Sequence, residues 1–351
     1  MQDRPYFIYF FILFFSVALS ACHSNTSSEE KEAQRIADSL RADSVERAKK
    51  EEYERTRPRE ANDIQIEKEL TYDEYTLEDE YDYEDTVRFF QWDKIKEKLA
   101  FVENFQRSSK TYAVIQNYRN MNQEAPLVKN FHRNEYKLVS DSLGVERYQS
   151  VPLYVPGDDS APILYGRDGS LVELKSADTV DMVKLEGISF EGEWEVPKRY
   201  VKKIGESDSI KFHHVVIVDV THQNIVTLER AEDDKWLVRS MNPATSGHHN
   251  PPYAKETPVG MFVVQEQKPK MFYLKDGTSD IAGFAPYASR FTNGGYLHGV
   301  PVNYPRKSII EYSPSLGTTP RSHMCVRNAS SHAKFMYDWL DPLKSLVIVI
   351  D

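Results

Sequence analysis

Cysteine is scarce in this sequence, which has only Cys22 and Cys325 among its 351 residues. This excludes a fold stapled by several disulfides, the usual solution for small secreted domains. Positive charge is also scarce, because 44 lysines and arginines face 54 aspartates and glutamates, giving a net charge of -10. A protein that holds nucleic acid by its phosphates needs the opposite excess. The composition therefore argues against a nucleic-acid partner.

Long hydrophobic runs are absent except at the start of the chain. Residues 6–19, Y-F-I-Y-F-F-I-L-F-F-S-V-A-L, follow Arg4 and lead into L-S-A-C at Leu19 to Cys22. This run is too short for a spanning helix and has the charged start, apolar centre and small-residue end of a secretory signal. The L-S-A-C ending resembles a bacterial lipobox, in which the cysteine becomes the lipidated first residue of the mature chain. An uncleaved anchor and a plain signal peptide are the alternatives.

These features predict a lipoprotein signal peptide at residues 1–21 and a membrane attachment through lipidated Cys22. The protein would face the periplasm, and the outer membrane is favoured over the inner. Residues 24–60 are almost wholly polar and cannot bury a core, although they can be partly helical. Residues 67–86 are acidic with interleaved tyrosines and lack the spacing of a calcium loop. We therefore expect an anchor and charged linker over 22–86, with order beginning near Val87.

Three further regions follow the linker. Residues 87–150 are predicted to be helical, with a second, shorter helix at about 111–120 before Pro126. Short alternating runs separated by Gly, Pro and Asp predict a small β module at 151–205, which loosely resembles an SH3-like domain. Residues 208–351 contain mostly strand-like runs and one late helix, so the fold class is α+β. The first helix rests on apolar residues spaced by three and four, namely Phe89, Trp92, Ile95, Leu99 and Val102.

The second cysteine lies in S-H-M-C-V-R-N, Ser322 to Asn328, just before the predicted late helix, which Asn328 or Ser330 would cap. A lone thiol is unusual in an exported protein. A guanidinium at Arg327 and the helix amides around Ser330 would favour the thiolate, which is the nucleophile. The base could be His323 or His298. Catalytic cysteine and histidine usually come from different segments, which favours His298.

A set of short motifs occurs in one order along the C-terminal part: I-V-D-V-x-x-Q at 217–223, T-P-V-G at 257–260, H-G at 298–299, S-L-G at 315–317 and S-H-M-C-V-R-N. In combination they resemble the L,D-transpeptidase catalytic domain of the YkuD type, over roughly residues 208–351. The resemblance implies a mostly β-strand domain that needs no cofactor and acts on peptidoglycan stem peptides. Such enzymes acylate a cysteine with the third residue of a tetrapeptide, release D-alanine and pass the acyl group to an amine.

The resemblance also implies roles for individual residues. Cys325 would be the nucleophile and His298 the general base, oriented by the backbone carbonyl of Gly299. Backbone amides of His323, Met324 and Cys325 would form the oxyanion hole. Arg327 would contact the donor carboxylate or support the loop. Substrate contacts or cleft walls are further expected from Ser322, Thr257, Gly260 and Tyr304.

Two departures from the family pattern qualify this interpretation. Met324 stands where glycine is usual, so the oxyanion turn is altered or does not need a positive φ. The stretch from Gly299 to Arg321 is long and would be a lid or specificity loop, with Tyr304, Arg306 and Lys307 near substrate, or an inert insertion. Carboxypeptidase, amidase and inert wall-binding functions stay open. No metal is expected at His248-His249, since no carboxylate or cysteine lies at ligand spacing.

Overall fold

The computed structural model describes residues 28–107, 110–117, 132–133, 139–140, 150–206, 212–232, 234–250 and 253–351. The predicted signal peptide and Cys22 lie outside these residues. The chain divides into two compact units, of which the first ends at Arg57 and the second comprises Pro58–Asp351. No helix among the described residues is both long and apolar enough to cross a membrane.

The first unit contains one long polar helix, α1 (Ser28–Thr56). Its few large apolar side chains, including Ile36 and Leu40, are exposed. Charged pairs one turn apart support it, such as Arg55 and Glu52 at 2.6 Å. The helix therefore has no buried apolar face within this unit, as expected for the polar spacer.

The second unit contains two α-helices and the strands of several sheets among its described residues. The helices are α2 (Trp92–Arg107) and α3 (Ser330–Trp339). The strands are β1 (Gln65–Lys68), β2 (Glu80–Tyr83), β3 (Thr86–Phe89), β4 (Thr111–Ile115), β5 (His132–Arg133), β6 (Val139–Ser140), β7 (Ser150–Leu153), β8 (Leu164–Arg167), β9 (Leu171–Leu174), β10 (Met182–Gly187), β11 (Glu193–Pro197), β12 (Val201–Glu206), β13 (His214–Asp219), β14 (Asn224–Glu232), β15 (Lys235–Pro243), β16 (Gly260–Val263), β17 (Glu266–Leu274), β18 (Ile281–Thr292), β19 (Gly295–His298), β20 (Val302–Asn303), β21 (Val326–Arg327) and β22 (Ser345–Ile350).

A six-stranded sheet with the order β1-β15-β14-β13-β22-β16 forms the centre of the C-terminal domain. Its middle strands, β13 and β22, run parallel with Val216 opposite Val347. Alternate residues of β13 enter two different cores, Val215 on one face of the sheet and Val216 on the other. Both faces are covered, which explains why these strands read as continuous apolar runs.

A second sheet with the order β17-β18-β19-β21 lies on the other side of the core that contains Val216. Leu297 of β19 and Val326 of β21 enter this core together with Met336 of α3. The predicted mostly-β domain with one late helix is confirmed.

The β module consists of a sheet with the order β11-β10-β9-β4-β12 and the hairpin β7–β8. It includes Thr111–Ile115, so the prediction of a helix at 111–120 is wrong over these residues. All four residues after Thr111 in this strand, Y-A-V-I, are buried. A helix would need a polar face, whereas a strand covered on both sides accepts a continuous run of such residues.

Order begins earlier than the predicted boundary near Val87. Strand β1 pairs in parallel with β15 of the central sheet, with Ile66 opposite Trp236. Tyr72, in the acidic stretch, is buried, and its hydroxyl lies 2.6 Å from Ser331 Oγ. The acidic composition wrongly predicted a solvated linker here, because a tyrosine can bury its ring while its hydroxyl keeps a polar partner.

The amphipathic helix was predicted correctly in place but not in its first residue. Helix α2 begins at Trp92 and buries Ile95, Leu99 and Val102 against the central sheet. Phe89 belongs instead to strand β3 and is 43% exposed.

Candidate active site

Strands β19 and β21 place four polar or reactive side chains on one face of the second sheet. They pair in parallel, with Leu297 opposite Val326 and His298 opposite Arg327. Because side chains alternate along a strand, Leu297 and Val326 point into the core. Tyr296, His298 and Arg327 therefore share the opposite face. Cys325 joins them, since it is two residues before Arg327 and packs against Tyr296.

The thiol of Cys325 is buried and holds its proton. The residue is 8% exposed, and Sγ donates to the carbonyl of Gly294 at 3.2 Å. Burial raises the pKa of the Cys325 thiol to about 11, although a backbone hydrogen bond from Tyr296 and the charge of Arg327 oppose this. The expected resting thiolate is therefore not what the site contains, because the cost of burying the charge exceeds the help from Arg327.

The helix amides that were expected to stabilise the thiolate are occupied by another group. Ser330 donates its backbone N–H to the carbonyl of Glu311 at 2.8 Å, and Ser331 donates its own to the Glu311 carboxylate at 3.1 Å. The N-cap residue of α3 is Ala329, which makes no side-chain cap, so the caps predicted at Asn328 or Ser330 are wrong. A carboxylate from the Gly299–Arg321 insertion thus serves the helix N-terminus.

His298 is also buried and uncharged. Its Nδ1 lies 2.6 Å from the carbonyl oxygen of Gly299, which can only accept, so Nδ1 carries the proton. Nε2 then has a free lone pair. Burial lowers the pKa of His298 to about 4, while the bond to Gly299 raises it and the charge of Arg327 lowers it. The imidazole is therefore a neutral base at ordinary pH.

The cysteine loop, defined as Ser322–Cys325, is held by a hydrogen bond within the loop and by contacts with Thr257 and Gly247. Ser322 Oγ donates to the carbonyl of Cys325 across the turn. Thr257 Oγ1 donates to the carbonyl of Met324 at 2.7 Å and accepts the N–H of Gly247 at 2.8 Å. A Cβ on Gly247 would lie 2.6 Å from Met324 Cα, so only glycine admits the loop this closely.

Met324 adopts a φ of 112°, a backbone conformation that favours glycine. The position therefore does need a positive φ, and methionine adopts it under strain. The backbone amides of His323, Met324 and Cys325 make no hydrogen bond within the part of the chain that the structure describes. These N–H groups are thus available to a ligand.

Arg327 is the cation of this site. Burial lowers its pKa, and it is close enough to influence Cys325, His298 and Tyr273. Its Nε has no hydrogen-bond partner within the described residues, and the guanidinium has no carboxylate in an ion pair there. A partly buried cation of this kind suits an anionic ligand.

The other predicted residues lie at the edges. His323 is half exposed, with Nε2 3.2 Å from Asp276 Oδ2 in the turn between β17 and β18. Tyr304 is 44% exposed beside β20. Gly260 contacts Ser189 of the β module rather than the cysteine loop. His332 is fully buried in the first turn of α3, and its Nε2 lies 2.8 Å from Ser240 Oγ.

Three contributors were missed from the sequence. Gly294 offers the thiol a carbonyl, Gly247 admits the loop, and Glu311 occupies the helix N-terminus. None carries a motif signal beyond a glycine or a charge in a loop. The later half of the Gly299–Arg321 stretch is hydrogen-bonded to the rest of the domain, because Ser330 Oγ donates to the carbonyl of Ile310 and Thr245 Oγ1 to that of Ser315.

Residues 213–349 match the family model of the L,D-transpeptidase catalytic domain, YkuD. The resemblance is thereby confirmed over these residues, which match the model of that catalytic domain. No curated protein matches the sequence.

Solved structures that match this chain include an L,D-transpeptidase from Mycobacterium smegmatis, with 17% identity, 51% of this chain and 82% of that chain covered, and a TM-score of 0.32. Another, from Xylanimonas cellulosilytica, has 24% identity, coverage of 40% and 62%, and a TM-score of 0.28. A fused amidase and peptidoglycan-binding protein from Clostridium acetobutylicum has 18% identity and a TM-score of 0.28. The match covers 39% of this chain and 52% of that one, about half its length. Because the TM-scores are low, the assignment rests on the family model.

Proposed function

We propose that the protein is a peptidoglycan L,D-transpeptidase that forms 3→3 crosslinks. The observation that supports it most is the shared face of Cys325, His298 and Arg327 in a domain of L,D-transpeptidase type. A thiol, a neutral base and a cation with no carboxylate partner among the described residues suit acyl transfer from a peptide with a free carboxylate.

In the first half-reaction, Arg327 pairs with the terminal carboxylate of a stem tetrapeptide. His298 Nε2 takes the proton of Cys325 as Sγ attacks the carbonyl carbon of the third residue. The amides of His323, Met324 and Cys325 hold the oxyanion. D-alanine leaves with the proton from His298, and a thioester remains on Cys325.

In the second half-reaction, an acceptor amine attacks the thioester carbonyl, a C–N bond forms as the C–S bond breaks, and His298 passes the amine proton to Sγ, which restores the thiol. Charge forms at the thiol only during attack, because the resting thiol and imidazole are both neutral. Arg327 lies near both groups, so its positive charge stabilises the transient thiolate. The same charge disfavours protonated His298 and thereby favours the return of its proton.

The test is mass spectrometry of products after residues 23–351 are incubated with disaccharide tetrapeptide. The expected product is a dimer that lacks one D-alanine, and Cys325→Ala should form none. Tripeptide alone would replace this proposal with an L,D-carboxypeptidase. Failure of Cys325 to react with a carbapenem any faster than an ordinary thiol would indicate an inert wall-binding protein.

We propose further that Cys22 anchors the protein to a membrane facing the periplasm, the outer membrane being favoured. The L-S-A-C sequence and the polar segment behind it support this. Metabolic labelling with an alkyne fatty acid should label the wild type and Cys325→Ala equally. Label retained in Cys22→Ser would contradict the anchor.

A further inference from the structure

A turn of the β module is wedged against the strands that carry the active site. It joins β8 to β9 as R-D-G-S, and both Asp168 and Ser170 are buried, at 0% and 2% exposure. Gly169 has a φ of +90°, and a Cβ there would lie 1.9 Å from the carbonyl oxygen of Phe291. The module therefore touches β18 through backbone that no other residue type would allow.

The Asp168 carboxylate has partners from three segments of the chain. It accepts the backbone N–H of Asn117 at 2.8 Å and Nε2 of Gln265 at 3.1 Å, and it pairs with Nη1 of Arg290. Arg290 is itself only 3% exposed. Two well-packed apolar residues would stabilise such a junction at least as well as a buried ion pair. The charged groups add a defined geometry, because each bond fixes one segment of the chain relative to the turn.

Strand β18, which carries Arg290, leads directly to the turn that contacts the Cys325 thiol. Thr292 Oγ1, two residues beyond Arg290, donates to the Asp168 carbonyl at 2.6 Å. The chain then turns at Asn293-Gly294, and the Gly294 carbonyl accepts the Cys325 thiol at 3.2 Å. Tyr296, which lies opposite Arg290 across the hairpin, gives the thiol its backbone hydrogen bond. Both hydrogen bonds to Sγ thus come from the hairpin that Asp168 holds.

We propose that Asp168 is a positioning residue for Cys325, acting through Arg290, Thr292 and the β18–β19 hairpin. The proposal rests on the proposed role of Cys325 as the nucleophile. The β module would then contribute to the geometry of the active site, since its Asp168 holds the hairpin whose Gly294 carbonyl orients the Cys325 thiol.

The test compares Asp168→Asn with Glu173→Gln in the full chain. Glu173 is a matched control, because it is an ion-paired carboxylate on β9 whose partners Lys110 and Lys175 flank strands of the same module. Two rates are measured for each folded variant: D-alanine release from tetrapeptide, and alkylation of Cys325 by iodoacetamide at pH 8.

For Asp168→Asn, kcat should fall roughly 10- to 100-fold with little change in KM, as expected when a reacting atom is displaced. Alkylation should become faster, because a thiol released from burial and from Gly294 regains a lower pKa. Glu173→Gln should leave both rates unchanged. A purely structural role would move neither rate in the folded protein, so wild-type values for folded Asp168→Asn would overturn the proposal.

If Asp168→Asn does not fold, Thr292→Val tests the positioning role instead, because it removes only one hydroxyl. It should shift both rates in the same directions by a smaller factor, and wild-type values would overturn the proposal. If the wild type itself releases no D-alanine, the proposed function fails. The alkylation rates then still test the positioning role, since they need no substrate.

Discussion

The two sheets of the C-terminal domain use the same strand geometry for different purposes. In the central sheet, β13 and β22 bury both faces, and their six residue pairs run in unbroken register. In the second sheet, β19 and β21 pack Leu297 and Val326 into the apolar core on one face and place titratable groups on the other. The first arrangement depends on the sum of many apolar contacts. The second depends on single side chains with single partners, so its substitutions should cost activity before stability.

The strongest test of this contrast compares two buried histidines. His298→Asn retains a group that can donate to Gly299 but removes the base, so turnover should fall about 10²- to 10⁴-fold. His332→Gln can keep a bond to Ser240, which lies on β15 of the central sheet, so turnover should persist. Steady-state release of D-alanine measures both. Equal losses in the two variants would mean that burial of a histidine, and not its position, limits activity.

A cavity in the central sheet should have the opposite effect. Ile348 of β22 is 1% exposed, and Ile348→Ala should lower the free energy of unfolding by about 2 to 5 kcal/mol. Turnover of the folded fraction should stay near that of the wild type. Urea denaturation and activity at a temperature below the transition check this. A loss of activity larger than the loss of folded protein would show that the two sheets are not independent.

Acid should weaken the protein through the same two histidines. Burial lowers the pKa of His298 to about 4 and that of His332 to about 3, from 6.5. Below pH 6.5 these histidines bind protons in the unfolded chain but not in the folded one. The free energy of unfolding therefore falls as pH falls toward these pKa values. Each histidine contributes roughly 1 kcal/mol per pH unit in this range. His332→Gln should flatten the dependence measured by urea denaturation, and an unchanged slope would contradict its buried neutral state.

The smallest expected effect concerns the strained turn. Met324→Ala and Met324→Gly both remove the side chain beyond Cβ, so their difference isolates the cost of a Cβ at a φ of 112°. Glycine should be the more stable of the two by about 1 kcal/mol, the reverse of its usual rank. Thermal denaturation of the pair measures this. Alanine equal to or better than glycine would show that the turn is not strained.

Much of the catalytic domain could be predicted because its signals are local. The apolar runs of β13 and β22, the late helix and the order of the short motifs are all read along the chain. The same holds for α2, whose buried residues repeat every three to four positions. Predictions failed where a segment depends on distant partners. Strand β4 and the tyrosine-containing stretch around Tyr72 look helical or solvated until the sheets that cover them are present.

The chain's local chemistry was sufficient to nominate Cys325, His298 and Arg327 and to indicate what kind of domain carries them. Their protonation was decided by folding, because the cost of a charge depends on how deeply tertiary packing buries the group and not on its neighbours in sequence. Folding also decided that Glu311 occupies the helix N-terminus and that Gly294 faces the thiol. A hydrogen bond needs its two atoms within about 3 Å of each other, and for residues this far apart in the chain only the packing of the sheets brings them that close.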